Sequence, residues 1–312
     1  MIDIVLVNWN SGNQLGDAIL SISENHEDLV GSVIVVDNNS SDDSLAVLEN
    51  GDISFPFSLR VIRNLKNMGF ACACNQGAQC GRSEYVLFLN PDAKLFPGSL
   101  SISHDRMSGN EYSSTGICGV QLIDLAGKTS RSCARFPTAL GFMAHALALN
   151  RIFPKTSHHM AEWDHAQTRY VDHVIGAFFL VRRTLYESLQ GFDERFFVYL
   201  EDVDFSYRAH RAGWSSVYLT DARAFHAGGG TSNQVKAQRL FYSLRSRLLY
   251  AFKHFSFLSA VGVLLVTLLI EPFSRSAFAL ARGSAAGFKE TWRAYGLLWR
   301  WLPPRILKGG VC

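Results

Sequence analysis

The sequence predicts an α/β protein in which a mostly parallel sheet is flanked by helices. Three observations predict it. Short runs of Val, Ile and Leu recur through the first third of the chain. Stretches of helical length, opened by turn or cap residues, separate them. Three of these runs stop abruptly on a cluster of Asn and Asp. Near-continuous apolar strands fit burial on both faces, and the alternation fits parallel strands joined by crossover helices.

The first run covers residues 2–7 and stops at Asn8-Trp9-Asn10, with a helix predicted over 13–24. Residues 32–36 (Ser-Val-Ile-Val-Val) end on Asp37-Asn38-Asn39-Ser40, and the following "SDDS" suits a helix N-cap. Residues 59–62 form a third strand. Residues 85–89, Tyr-Val-Leu-Phe-Leu, form a fourth that closes on Asn90-Pro91-Asp92. Pro91 is harmless there because the ladder has ended, and it stiffens the turn. In open α/β sheets ligands bind beyond the C-terminal strand ends. Asn8, Asn10, Asp37, Asn38, Asn90 and Asp92 are therefore placed at a ligand crevice.

Further along, a helix is expected near 98–107, a strand near 116–123 and a polar, His-containing stretch from 150 to 170. A strand follows over 171–182, then a helix over 201–212 that Gly213 and Trp214 end. A strand over 216–219 leads into the glycine-rich "DARAFHAGGGTS". Residues 98–170 carry no interpretable motif.

The chain has 312 residues, 48% hydrophobic and 18% charged. That supports a sizeable core in one large α/β domain plus an appendage. The charge is divided. Residues 235–312 hold 12 of the 30 Lys and Arg and 2 of the 27 Asp and Glu, a net of +10; residues 1–234 carry 18 against 25, a net of −7. We read residues 1–234 as the α/β domain and residues 235–312 as a basic, apolar helical tail that meets something anionic. Its interleaved Trp, Phe and Leu favour a membrane surface over nucleic acid. "FSFLSAVGVLLVTLLI", residues 255–270, is 16 residues without a charge. As a helix it spans about 24 Å, short of the roughly 30 Å of a bilayer core, before Glu271-Pro272 breaks it. Helices in the membrane interface fit best; a short transmembrane span and a soluble helical cap are the alternatives. The six cysteines form no CxxC pair and read as reduced packing residues. "MIDIVLVNWN" has no basic region or cleavage site, which predicts a cytoplasmic protein.

Chemistry concentrates in three places besides Asp37: Asp92, the "YLEDVDFSYR" segment with Glu201, Asp202 and Asp204, and His226. Each has an ordinary reading. Asp92 can be a turn residue, the acidic cluster can complement a helix dipole, and His226 can be a core histidine. Asp204 and Arg208 can form a surface i,i+4 pair worth about 0.3–0.5 kcal/mol. No GxGxxG follows the first strand, which argues against a dinucleotide oxidoreductase.

In order, "VLVNWNSG", "IVVDNNSSDDS", "NMGFACACNQG", "FLNPDA", "GAFFLVRR", "GFDERFFVYLEDVDFSYRAHRAGW" and "FHAGGGTS" cover residues 1–232 almost continuously. Together they resemble the inverting nucleotide-sugar glycosyltransferases of family 2, with the GT-A fold. The branch they are most similar to is the rhamnosyltransferases that build bacterial surface polysaccharides.

The resemblance implies a hexosyltransferase whose donor is dTDP-L-rhamnose, with a UDP-hexose or UDP-GlcNAc donor as the alternative. A non-catalytic nucleotide-binding relative is the other reading. The acceptor would be a hydroxyl of a glycan or lipid-linked sugar, reached by an enzyme peripheral on the inner membrane face, with no nucleic-acid partner. Mg²⁺ or Mn²⁺ would neutralise the leaving pyrophosphate. The family's Asp-x-Asp reads Asn90-Pro91-Asp92 here. Asp92 keeps the metal role, and Asn90 can bond ribose or phosphate without adding charge, a variant this branch shares. His226 would be the second metal or pyrophosphate contact, presented by a flexible glycine loop. Asp37 would accept the pyrimidine N3–H, selecting uracil or thymine over cytosine. Asn8, Asn10 and Asn38 would line base and ribose, and Asn67, Gly69 and Asn75 would continue that wall. Asp202 would be the general base, with Asp204 the runner-up and Glu201, Asp204 and Trp214 on the acceptor side. A single displacement needs no carboxylate nucleophile.

Overall fold

The structure, a computed structural model, describes residues 1–26, 28–49, 54–147, 149, 160, 162–228 and 235–307. Most of the predicted 150–170 stretch, Gly229 and Gly230 of the glycine loop, the 234/235 boundary and Cys312 lie wholly or partly outside these residues. The chain divides into two compact units. The first comprises Met1–Arg135, Trp163–Glu194 and Glu201–Thr231; the second comprises Phe136–Glu162, Arg195–Leu200 and Ser232–Cys312. The helical tail thus groups with two earlier segments of the chain.

In the first unit, every residue of β1 (Ile2–Asn8) is buried. It pairs in parallel with β2 (Val30–Asp37) on one side. On the other it pairs in parallel with β4 (Tyr85–Leu89), and β3 (Ser58–Arg63) extends the sheet beyond β2. Between them run α1 (Gln14–Glu24), the single turn α2 (Ala46–Glu49) and α3 (Phe70–Ala78). The small-residue run "ACACNQGA" is explained by α3, which lies close on the sheet. A Cβ at Gly77 would sit 2.4 Å from Val5 Cγ1. The one charge inside β1, Asp3, is also accounted for. It is buried and accepts from Arg183 Nη2 at 2.8 Å, Ser83 N at 2.8 Å and Ser32 Oγ at 2.6 Å, clamping strand starts to one another.

The other half of the sheet is mixed. β5 (Ala93–Leu95) and α4 (Ser99–Ser108) precede β6 (Thr115–Ile123), and a two-residue strand β7 (Cys133–Ala134) follows. α5 (Ala139–Ala146) belongs to the second unit. The strand expected over 171–182 is three pieces: β8 (Arg169–Val171), β9 (His173–Val174) and β10 (Phe178–Arg182). The chain leaves the main sheet between them, and there the Gly176 amide turns to a carboxylate on α7 (Glu201–Arg211). α6 (Arg183–Ser188) lies between β10 and α7. β11 (Ser215–His226) is much longer than the expected 216–219, because it continues past an irregularity between Leu219 and Arg223. The sheet order is β3-β2-β1-β4-β10-β6-β11-β5, with β8 also on β11. β10 runs antiparallel between β4 and β6, while β6 and β11 are parallel.

These directions bring the C-terminal ends of β1, β2, β4 and β11 to one edge. The core beneath that edge is aliphatic, with Ile4, Leu6, Val33, Val35, Leu87 and Leu180 all fully buried.

The second unit holds α5 with α8 (Lys236–His254), α9 (Phe257–Leu269), α10 (Glu271–Ala281) and α11 (Ala285–Leu307). The apolar helix α9 does end just before Glu271-Pro272, as expected, and Pro272 then occupies the first turn of a new helix, α10, where its missing N–H has no partner to lose. Inside this unit Glu271 is buried between Arg247 at 2.5 Å and Arg275 at 2.8 Å. Phe257–Ala281 is long and apolar enough, by length and composition, to cross a membrane, and only 28% of its most apolar window is buried.

Candidate active site

The edge built by the C-terminal strand ends carries three clusters. The first joins β1 to β2. Asn8 ends β1 fully buried, and its Nδ2 donates to Asp37 Oδ1 at 2.8 Å, Ser44 Oγ at 2.8 Å and Ser40 Oγ at 3.1 Å. Its Oδ1 accepts from Ser11 Oγ. Asp37 Oδ2 accepts from Ser40 N at 3.2 Å. Asn8 therefore holds Asp37 in place rather than facing a ligand itself. Asn10 has a left-handed backbone (φ 52°), and its Oδ1 accepts from Ser41 N at 2.7 Å. Asn38, also buried, donates from Nδ2 to Gly69 O at 3.1 Å and accepts from Asn64 Nδ2 at 2.9 Å. Asn67 Oδ1 accepts from Gly69 N at 2.9 Å, and Gly69, at φ 90°, opens α3 in a conformation that favours glycine.

Asn75 does not join this wall. It is buried on α3, donates to Phe192 O at 2.9 Å and Glu194 Oε1 at 3.0 Å, and accepts from Phe192 N at 2.9 Å and from Tyr186 Oη. Every hydrogen-bonding position of its amide ties α3 to the 186–194 segment.

The second cluster is Asp92 with His226. Ala93 and His226 are register partners in the β5–β11 pairing. That places Asp92 Oδ1 3.3 Å from His226 Nε2. His226 is thus the last residue of a paired strand and not a member of a flexible loop. Both side chains are largely buried yet retain some exposure, 12% for Asp92 and 15% for His226. Among the described residues no three His, Cys, Asp or Glu side chains converge as a metal cage. The donor set is one carboxylate and one imidazole. That set fits Mg²⁺ or Mn²⁺ only if phosphate oxygens and water complete the shell, as hard cations at phosphate sites commonly arrange.

The third cluster opens α7. The chain enters through two left-handed residues, Tyr199 (φ 71°) and Leu200 (φ 65°), a backbone state that costs non-glycine residues about 1–2 kcal/mol each. Asp202 Oδ2 accepts from Gly176 N at 2.9 Å and lies 3.5 Å from His173 Nε2; Oδ1 accepts from Val203 N at 2.8 Å. Glu201 is buried, and among the described residues its Oε2 has no hydrogen-bond partner. Burial, reinforced by the adjacent Asp202, pushes the Glu201 carboxyl well above its ordinary range.

The second and third clusters are connected through backbone. Gly176 N binds Asp202, the next residue Ala177 accepts from Asn90 N at 3.1 Å, and Asn90 leads to Asp92. A carboxylate able to take a proton and a carboxylate–imidazole pair able to hold a cation thus share one edge with the Asp37 cluster.

Two residues expected on the acceptor side stand elsewhere. Asp204 is fully buried and binds Arg208 Nε at 2.8 Å; Arg208 also donates to Leu189 O at 2.7 Å and Gly191 O at 2.8 Å. This is a buried structural pair, not the surface pair the spacing suggested. Trp214 precedes β11 at the strand's N-terminal end, whereas His226 closes the opposite end twelve residues on. The two residues therefore stand at opposite ends of that strand. His173 and Gly176 were missed from sequence; the Gly176-Ala177 break in an otherwise apolar run was the available signal.

Residues 3–189 match the model of glycosyl transferase family 2. The chain belongs to this family. Among curated relatives, the N-acetylglucosaminyl-diphospho-decaprenol L-rhamnosyltransferase of Mycobacterium tuberculosis is 29% identical over 255 residues, 77% of this chain and 80% of that one. The rhamnosyltransferase WbbL of Escherichia coli is 25% identical over 169 residues, 54% of this chain and 61% of that one. Among solved structures, the mannosyltransferase PcManGT from Pyrobaculum calidifontis, in complex with GDP-Man and Mn²⁺, superposes with a TM-score of 0.57 at 17% identity, covering 97% of this chain and 81% of that one. S. aureus TarS 1–349 with UDP-GlcNAc gives a TM-score of 0.53 at 14% identity, covering 96% and 91%. The structural likenesses establish that the glycosyltransferase shares their fold.

Proposed function

We propose that this glycosyltransferase moves L-rhamnose from dTDP-L-rhamnose to a hydroxyl of a lipid-linked sugar, with inversion, at the cytoplasmic membrane surface. The observation that carries the reading is the backbone path from Asp202 through Gly176, Ala177 and Asn90 to the Asp92–His226 pair. It supports a reading in which a proton acceptor and a pair that would hold a charge-neutralising cation work from the same sheet edge, as displacement of a nucleoside diphosphate requires.

Asp37, held by Asn8 and Ser40, accepts the N3–H of thymine or uracil. Asn10, Asn38, Asn67 and Gly69 shape the pocket around base and ribose, and Asn90 bonds ribose or phosphate. Asp92 and His226 would hold Mg²⁺ or Mn²⁺, which when bound neutralises charge on the departing diphosphate. Asp202 accepts the proton of the acceptor hydroxyl. The acceptor oxygen bonds to the anomeric carbon as the bond to diphosphate breaks on the opposite face, so one displacement inverts the centre. The names of the M. tuberculosis and E. coli relatives support rhamnose, and the former's name supports a lipid-diphosphate acceptor.

Support for the membrane surface lies in the second unit. Leu258, Leu265, Leu269, Phe273 and Leu280 are each half exposed or more. They follow helical spacing along one side of α9 and α10. The buried Glu271 with its two arginines interrupts this stretch near its middle, which favours helices lying in the interface over a helix that crosses it.

The test is release of nucleoside diphosphate by purified protein given dTDP-rhamnose, UDP-GlcNAc, UDP-glucose or UDP-galactose with Mg²⁺ or Mn²⁺. Release from dTDP-rhamnose alone, lost on chelation, is expected. Turnover of UDP-sugars but not dTDP-rhamnose refutes the rhamnose reading and leaves the fold's chemistry intact.

A further inference from the structure

We propose that His173 is a positioning residue for Asp202, bracing it from beneath α7 so that one carboxylate oxygen stays aimed at the acceptor. The inference rests on Asp202 being the base.

The placement follows from β9. Among the described residues that two-residue strand pairs only with β7, His173 opposite Ala134, so it is released from the main sheet and packs against α7. The ring lies between two residues one helical turn apart. Nε2 is 3.5 Å from Asp202 Oδ2, and Nδ1 is 3.3 Å from Ser206 Oγ. Positions i and i+4 share a helix face, so a single imidazole can reach both. When the Ser206 hydroxyl donates to Nδ1, the ring proton resides on Nε2 and points at the carboxylate.

The consequence falls on the two carboxylate oxygens unequally. Oδ2 receives the Gly176 N–H at 2.9 Å and faces the imidazole, so it is held from two sides. Among the described residues Oδ1 receives only the amide of the next residue, Val203, at 2.8 Å, and it is the oxygen with capacity to take a proton. The Asp202 side chain is 17% exposed while that of His173 is 3% exposed. The acceptor can thus reach Asp202 but not the ring behind it. A histidine that merely filled space would need no second polar partner at its far nitrogen, and Ser206 is itself buried.

The experiment compares His173→Ala, His173→Gln, Ser206→Ala and Asp202→Asn, with the double variant His173→Ala/Asp202→Asn, in steady-state turnover of full-length protein with donor and acceptor. His173→Ala is expected to lower kcat about 10–100-fold through misplacement of the base. KM for the donor should hold within about 2-fold, because the Asp37 and Asp92 clusters are untouched. His173→Gln, whose amide N–H can stand in for Nε2–H, should recover most of the loss, and Ser206→Ala should fall between. On the Asp202→Asn background, removing His173 should change nothing further, the mark of two residues acting as one unit. An unchanged kcat in His173→Ala overturns the proposal, as does an equal loss on both backgrounds. If His173→Ala does not fold, His173→Gln and Ser206→Ala decide: wild-type kcat in Ser206→Ala with a dead His173→Gln contradicts the bracing geometry. Near-wild-type turnover in Asp202→Asn refutes instead the assignment of the base.

Discussion

Asp92 Oδ1 and His226 Nε2 lie 3.3 Å apart because β5 and β11 pair antiparallel with Ala93 opposite His226. The geometry is fixed by strand register, so the pair exists before any ligand arrives. Asp92→Ala is expected to abolish metal-stimulated turnover. His226→Ala should leave a residual rate lowered about 100-fold, because on the proposed reading one ligand would be lost from a shell that phosphate and water would otherwise complete. Mn²⁺ titration in the presence of nucleoside diphosphate, followed by electron paramagnetic resonance, should show weaker binding in both variants. Unaltered Mn²⁺ affinity in both contradicts the pair as a cation site.

Glu201 gives a stability prediction with a definite sign. Its carboxyl is held well above the ordinary value of 4.5 by burial and then by Asp202. Between the unfolded and the folded pKa the native chain keeps a proton the unfolded chain has lost. The contribution of this group is full below the unfolded pKa and is lost as pH rises through the folded one. Thermal melts of wild type should therefore fall, as pH rises above the ordinary value of 4.5, more steeply than those of Glu201→Gln, which keeps the shape and removes the ionisation. Parallel curves contradict the buried neutral carboxyl.

Asn75 separates a structural role from a ligand-binding one. Asn75→Ala removes partners of Phe192, Glu194 and Tyr186 in a buried setting. It should cost about 2–4 kcal/mol of stability, since buried polar groups lose their mates. KM for the donor should be unchanged. A stable variant with a raised donor KM would return Asn75 to the ribose wall.

The α9–α10 stripe predicts membrane behaviour. Leu265→Asp/Phe273→Asp adds charge to two exposed apolar positions. It should abolish co-flotation with vesicles containing anionic phospholipid while leaving melting and donor hydrolysis near wild type. Flotation at wild-type level would place the membrane contact elsewhere or deny it.

Much of the sheet edge was legible because parallel strands bury both faces and end on polar residues. Val33 to Val36 and Asp37, or Phe88, Leu89 and Asp92, state both the strand and its terminus in one stretch. What could not be read depended on contacts distant in sequence. Asp204 looks like a surface i,i+4 partner of Arg208 until the 189–191 carbonyls are found capping the same guanidinium. His226 follows no local rule that would extend β11 through Arg223, since that half of the strand is held by β6 and β5. Trp214 is near the acidic segment in sequence, but the 11-residue helix α7 carries it about 16 Å away. His173 has no periodicity to betray it, because β9 is only two residues long.

The central claim, that Asp202 and not Asp204 accepts the acceptor's proton, is tested most directly by measuring kcat and melting temperature together for Asp202→Asn and Asp204→Asn. Asp202 is partly exposed and held by amides that Asn can retain in part, so Asp202→Asn should melt near wild type and turn over at least about 1000-fold more slowly. Asp204 is fully buried against Arg208, so Asp204→Asn should lose about 3–5 kcal/mol of stability, with the folded fraction still active. A stable, inactive Asp204→Asn beside a stable, active Asp202→Asn would contradict the account.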